Sequence, residues 1–257
     1  MLVMARLTFR EMLNKRILLL GLVLTLLYLV LYGIGLHYVG KDLRDAAEMM
    51  RMSMAAQFLS AGLFVSGMMV SAITIFSSVG SISGEIENGI LYATAAKPLS
   101  RSQIFLGKYA GLGIVLVGYS LLVFAATNLI VSYTFDFTTG SLYTGMALFS
   151  LLPLVLLAVS LWGSTGLSTL GNGITMFILY SVSVIGGMVE YFGVLMTQLP
   201  SGAAGASGVA SSLTTIGIVT SLLMPVDALY RLVNFILVYG SPVPAQVMEF
   251  NPLSTTS

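Results

Sequence analysis

Between Asp136 and Glu190 the chain runs for 53 residues without a Lys, Arg, Asp or Glu. No other feature of the sequence constrains the fold as strongly. A helix rises 1.5 Å per residue, so about 20 apolar residues cross the hydrocarbon core of a bilayer. Residues 17–40, 52–84 and 109–135 also lack those four residue types. A soluble domain carries about 25% charged residues. This chain of 257 carries 8%, with 57% hydrophobic residues and a mean hydropathy of +0.97. The expected fold is an all-α polytopic membrane protein with one transmembrane domain over residues 1–257.

The charge-free gaps place five spans, at roughly 17–36, 55–80, 105–135, 142–162 and 173–196. The stretch GSTGLSTLGNG (163–173) has a turn composition and divides the fourth span from the fifth. QLPSGAAGASGVASS (198–212) reads as a small-residue loop. Residues 213–239 are apolar but hold Pro225, Asp227 and Arg231. A charge at the centre of a span costs about 2.5–3.5 kcal/mol on insertion scales. Asp227 and Arg231 are four apart and can pair on one helix face. The expectation here is an interfacial or re-entrant helix; a sixth span is the alternative. The first apolar run is too long for a signal-peptide core and has no A-x-A-like cleavage site, so it reads as a retained span.

Net charge is +1 and there is no cysteine. The first implies no nucleic-acid partner; the second excludes disulfides and thiolate metal sites. With the N-terminus inside, segments 1–16, 84–108 and 163–173 hold four, three and no basic residues. The outer segments 40–53, 132–141 and 197–257 hold three, none and one. Seven against four favours a cytoplasmic N-terminus and an extracytoplasmic 198–257.

Two cytoplasmic segments stand out. In MLVMARLTFREMLNKR, Arg6, Arg10 and Asn14 share one helix face, while Leu2, Phe9, Leu13 and Ile17 lie largely on another. Such a helix can rest in the headgroup layer; a plain positive-inside anchor is the alternative. In GEIENGILYATAAKPLSRSQIFLGKYAG (84–111), residues 85–96 form a short helix with Glu85 and Glu87 in the first turn, where the helix dipole favours acids. Lys97 ends it and Pro98 stops it. Ser100 and Gln103 then form a capping box, with Leu99 and Ile104 placed as a hydrophobic staple. A stiff elbow of this kind suits transmission of movement from a cytosolic partner.

Three runs in this order, Glu87-Asn88-Gly89-Ile90-Leu91, Lys97-Pro98-Leu99-Ser100-Arg101 and Leu106-Gly107-Lys108, resemble the membrane subunit of type-2 ABC exporters, the ABC-2 permease family. There the segment between spans two and three resembles E-x-G-T-L, K-P-[VL]-[ST]-R and L-G-K and docks on the ATPase as the coupling helix. The resemblance implies coupling roles for Glu85, Glu87, Gly89, Lys97, Pro98, Ser100, Arg101 and Lys108, and an elbow helix at the N-terminus. MPVDALYRL (224–232) resembles N-P-x-D-x-[FY]-R-L, which follows span five on the extracytoplasmic side in relatives. Ile90 stands where threonine is usual and Met224 where asparagine is. One extra residue separates Asp227 from Tyr230. Relatives continue into a sixth span and a short basic tail, so the resemblance implies either further sequence or a sixth span at 213–239.

The chain has no G-x-x-x-x-G-K-[ST] phosphate loop. The family therefore implies ATP and Mg bound by a separate ABC ATPase subunit, and pairing with a second or homologous permease in lipid, within a prokaryotic cytoplasmic membrane. A channel or secondary transporter is one competing class. A scaffold that passes ATPase work to an external partner is another. No hydrolase or metalloprotease motif supports an enzyme.

Glu190, Asp227 and Arg231 are candidate gate or substrate-path residues, since acids and bases in spans are often functional. His37 is the only histidine and reads as an interfacial polar residue. Met49, Met50, Met52 and Met54 could meet Cu(I) or simply pack; no metal site is assigned. Gly107 with Gly111, and Ser160, Ser164 and Ser168, are small-residue packing series. Tyr28, Tyr32, Tyr38, Tyr133, Tyr143 and Trp162 read as interface anchors.

Overall fold

The computed structural model describes residues 2–13, 16–43, 47–87, 101–137, 141–197, 206–221 and 224–239. Every element among them is a helix. They are α1 (Leu2–Leu13), α2 (Arg16–Asp42), α3 (Glu48–Ser78), α4 (Ser83–Glu87), α5 (Arg101–Phe135), α6 (Leu142–Gly163), α7 (Thr169–Thr197), α8 (Ala206–Ser221) and α9 (Pro225–Tyr239). Five of them, α2, α3, α5, α6 and α7, are long and apolar enough to cross a membrane, as the charge-free gaps require.

The core forms where α3, α5 and α6 meet. Leu59, Leu63, Leu112, Leu116, Leu152, Leu156 and Phe149 are fully buried there, and the rings of Phe124 and Phe149 lie 5.3 Å apart. α2 lies at the edge. Its buried face is Leu18, Gly21, Thr25 and Leu36, and a Cβ at Gly21 would run into the Ile73 side chain. Close approach there requires glycine. The Tyr28 and Tyr32 hydroxyls donate to the carbonyls of Gly62 (2.8 Å) and Phe58 (2.7 Å), and the Thr25 hydroxyl bonds that of Tyr119. Tyr28 and Tyr32 are thus clasps between helices rather than interface anchors. Tyr38, Tyr133, Tyr143 and Trp162 point outward and are exposed.

α1 packs against α5. Arg6 and Arg10 are exposed, as their shared face implies, but the buried positions are Thr8 and Met12, with Phe9 beside them. Ile17 is exposed, and the side chains of Leu2 and Leu13 lie outside the described residues. α3 starts at Glu48, seven residues before the expected span. Arg51 stabilises this extension: it donates to the Phe135 carbonyl at 3.1 Å and approaches Asp136 at 3.8 Å. Met49, Met50, Met52 and Met54 therefore sit on a helix.

α7 starts at Thr169 rather than near residue 173. The Ser168 hydroxyl accepts the Gly171 N–H at 3.2 Å, so Ser168 acts as the N-cap, and Asn172 is fully buried. The polar residues that read as a turn are used as a cap and a tertiary contact. The 213–239 region is not one helix. α8 begins at residue 206, inside the expected loop, and ends at Ser221; Pro225 is the first residue of α9, where proline's missing N–H costs nothing. At 15 residues α9 is about 22 Å long, short of the roughly 30 Å hydrocarbon core. Among the described residues it is too short to cross the core by itself.

α8 runs antiparallel to α7. A Cβ at Gly193 would meet Ala210 and Thr214, one at Gly217 would meet Glu190, and Gly186 faces Thr220. α9 then returns along α3 and α6, with Asn234 bonded to Ser60 and Leu237 packed on Gly145.

Candidate functional site

Two polar nodes lie on α7, one at its first turn and one near its far end. The first is built from the turn after α3. Gly80 has φ of 74°, in the left-handed region, and a Cβ there would come within 3.0 Å of the Thr169 methyl. Glycine lets the chain reverse against α7 and start α4. Glu87 ends α4. One of its carboxylate oxygens accepts the Thr169 backbone N–H, and the other accepts the Thr169 hydroxyl, both at 2.9 Å. A carboxylate at unsatisfied N–H groups of a helix start is favoured by hydrogen bonding and by the helix dipole. The Ser83 hydroxyl lies 3.0 Å from that of Thr169. Lys108 of α5 is only 5% exposed, and its ammonium donates to the Ser81 carbonyl. The Asn172 amide donates to the Ser160 carbonyl at 3.1 Å, and the Ser160 and Ser78 hydroxyls are 2.7 Å apart. This node ties α3, α4, α5, α6 and α7 together.

The second node is ionic. Arg231 bonds Glu190 of α7 at 2.7 Å and Asp227 of its own helix at 2.8 Å. The side chains of Arg231, Glu190 and Asp227 are 23%, 15% and 12% exposed. A buried charge is tolerated only when paired and hydrogen-bonded. Two carboxylates against one guanidinium leave a formal charge of −1. One oxygen of Glu190 and one terminal nitrogen of Arg231 are buried without a partner. Beside the triad is a small, partly open cleft of about 30 Å³, bounded by Phe64, Gly67, Ser71, Tyr180, Asp227 and Tyr230 among others. The Tyr230 hydroxyl donates to the Ser60 carbonyl at 2.9 Å, and its ring meets Phe64 edge-on at 5.6 Å.

Of the coupling residues expected from the sequence, Glu87 and Lys108 come to the first node. Glu87 reaches across to Thr169 instead of pointing only at solvent. α4 starts two residues earlier than the expected helix at 85. Glu85 lies on α4 and Arg101 opens α5, but their side chains fall outside the described residues, as do Gly89, Lys97, Pro98, Leu99 and Ser100 entirely. α5 does begin one residue after the expected cap at Ser100. Glu190 and the expected Asp227–Arg231 pair form one cluster. The Asp227–Arg231 pair is as their spacing requires. Thr169, Asn172, Ser71, Tyr180 and Ser183 were not singled out. The missed signal is a stripe along α7: Thr169, Asn172, Met176, Tyr180, Ser183, Gly187 and Glu190 recur every three or four residues, which is one helix face.

The fold and composition define a polytopic helical membrane protein. No protein-family model matches the chain, and no curated protein matches it.

Proposed function

We propose that the chain is the permease subunit of an ABC-2 type exporter, in which ATP hydrolysis by a separate ATPase moves a substrate across the membrane. In this reading the chain is not itself an enzyme. ATP and Mg belong to the partner, and two permease copies, or two homologous permeases, form the pathway. The N-terminus and the 84–108 segment face the cytoplasm of a prokaryotic cell. α1 is the elbow helix at the inner surface, and α8 with α9 is a re-entrant hairpin entered from the outside.

One observation carries the reading furthest: Glu87, in the motif that resembles the ATPase-docking segment, holds the first residue of α7 through both carboxylate oxygens. A push on α4 is thereby delivered to a helix that carries Glu190 to the ion triad. A connecting loop needs no such clasp. The seam that would move is lightly held. α7 packs mainly on α8, and its contacts with α3, α6 and α9 are sparse beside those that α3 makes with α5 and α6.

The experiment is purification of the tagged protein from its native membranes in mild detergent. A polypeptide bearing G-x-x-x-x-G-K-[ST] should accompany it and hydrolyse ATP. Replacing Pro98-Leu99 by Gly-Gly should leave that polypeptide bound while transport stops. Failure of any such ATPase to copurify, with the membrane protein intact, sinks the proposal.

A further inference from the structure

The outer face of α1 combines charge, apolar surface and depth. Arg6 and Arg10, one turn apart, are both exposed, and Leu7 between them is 59% exposed. Thr8 and Met12, two residues on from each arginine, are buried. At 3.6 residues per turn they lie on the opposite side of the helix, the side packed on α5. Among the described residues no ion pair or hydrogen bond engages the Arg6, Arg10 or Arg16 side chain. Residues 1–16 hold four basic residues and one acid, Glu11, so the helix and its junction with α2 are cationic. Depth follows from the neighbouring helices. α2 and α5 run side by side in the same direction, with Thr25 bonded to Tyr119 and Gly40 against Thr134, so Arg16 stands level with roughly residue 110 of α5. Only residues 14 and 15 separate α1 from α2, a reach of at most about 11 Å. α1 is therefore held at the charged start of a long apolar helix. The surface continues from Leu7 to the exposed apolar flank of α2 at Ile17, Leu19 and Leu20.

We infer that this face binds the headgroups of anionic phospholipids, with Arg6 and Arg10 on the phosphate oxygens and Leu7 in the adjoining acyl region. A guanidinium fork matches phosphate geometry. A zwitterionic head carries its own cation, which offsets that attraction, whereas an anionic head does not. An acidic protein segment would meet the same charge. Leu7 and the apolar flank of α2 beside it favour instead a ligand with hydrocarbon directly below its anionic group. The assignment adds a requirement for lipid charge to the placement of α1 at the membrane surface, and it holds whether or not an ATPase copurifies.

The test uses the full chain, whose lack of cysteine lets one residue report. Leu7→Cys carries a bimane label on the outer face of α1. Ile34→Cys, on the lipid-facing side of α2 at 52% exposure, is the control. Each is placed in phosphatidylcholine nanodiscs and titrated with phosphatidylglycerol spin-labelled near the top of its acyl chain, and separately with phosphatidylcholine labelled in the same way. An arginine close to an anionic surface contributes about a fivefold preference. Quenching at position 7 should therefore favour phosphatidylglycerol at least about tenfold, while position 34 shows no preference. Arg6→Gln with Arg10→Gln should bring the two lipids within about twofold of each other at position 7, with an unchanged elution profile, since both side chains are exposed. Salt provides an arm that needs no variant: at about 1 M the screening length falls to about 3 Å, and the preference should collapse. Equal quenching by the two lipids at position 7, quenching there by neither, the same preference at position 34, or a preference that survives both the double substitution and high salt overturns the inference. Quenching by neither lipid would show that protein covers the face.

Discussion

The triad makes a prediction in which two damaging changes are better than one. Arg231 lies between Glu190 and Asp227, at 2.7 and 2.8 Å, with all three side chains at least three-quarters buried. Arg231→Gln leaves two carboxylates facing each other without a cation. Breaking a buried pair by removing one partner costs about 3–5 kcal/mol, because an uncompensated charge stays behind. Glu190→Gln does the opposite: it leaves the neutral Asp227–Arg231 pair and lowers the site's formal charge from −1 to 0. Its cost is one hydrogen bond to a charged group, about 1.5–3 kcal/mol, offset by the removal of a buried charge. In the Arg231→Gln background, Glu190→Gln removes one of the two stranded carboxylates. The double variant should therefore be more stable than Arg231→Gln alone, by about 1–2 kcal/mol, within the range of couplings measured between contacting residues. The assay is thermal unfolding of the purified protein in a nonionic detergent, with the wild type and three variants measured side by side. If the double variant is less stable than Arg231→Gln, or the single effects simply add, the triad is not an electrostatic unit and the account of the second node is wrong.

The first node gives a smaller effect on stability than on function. Glu87→Ala should cost no more than about 1 kcal/mol, the range for a charge at an exposed helix start, while abolishing ATP-driven transport; wild-type transport would show that the clasp transmits nothing. Lys108→Met should cost about 1.5–3 kcal/mol in the same thermal assay, because the Ser81 carbonyl loses a charged donor. Gly217→Val should cost about 3 kcal/mol, since its Cβ would sit 2.7–2.8 Å from the Glu190 backbone, whereas Gly208→Ala on the same helix meets nothing within 4 Å and should be neutral or slightly stabilising. With no native cysteine, Glu48→Cys should react with an impermeant maleimide on intact cells and Gly166→Cys should not; the reverse pattern would invert the proposed orientation.

What the sequence made legible follows from which forces are local. Charge-free length is a property of the chain alone, and it located all five long helices to within a few residues at most of their ends. Errors arise where a tertiary bond outweighs local composition. Residues 163–173 look like a turn because Gly, Ser, Thr and Asn compete with helix formation. Asn172 is helical because its amide reaches Ser160, and Thr169 because Glu87 caps it. Both partners are distant in sequence. Tyr28 and Tyr32 fail for the same reason: their position near the outer half of a span fits an interface anchor, and only packing against α3 shows that their hydroxyls find carbonyls. The ionic site was half legible. Spacing of four paired Asp227 with Arg231, but Glu190 lies 41 residues away from Arg231 and joins only through the fold. The α7 face that joins the two nodes was readable in principle, because Thr169, Asn172, Met176, Tyr180, Ser183, Gly187 and Glu190 keep helical spacing.

That stripe also explains why both nodes fall on α7. A helix of 29 residues is about 43 Å long and stiff along its axis. It has one end capped by Glu87 and, some twenty residues on, a carboxylate held by Arg231. Between them the same face carries Met176 and Tyr180, packed on the core, and then the small groups Ser183 and Gly187, so bulky interlocking side chains are few near the ionic end. Bulky interdigitation would resist a tilt, because packed cores shift between discrete arrangements and do not deform smoothly. A sparsely filled seam closed by polar bonds at two points has a lower barrier to opening, and it returns to one defined register when those bonds re-form. The ionic end needs the stronger bond. Its three side chains are at least three-quarters buried, where a broken pair is costly, so the Arg231 contacts tie α7 to α9 more strongly than the exposed Glu87 clasp ties it to α4.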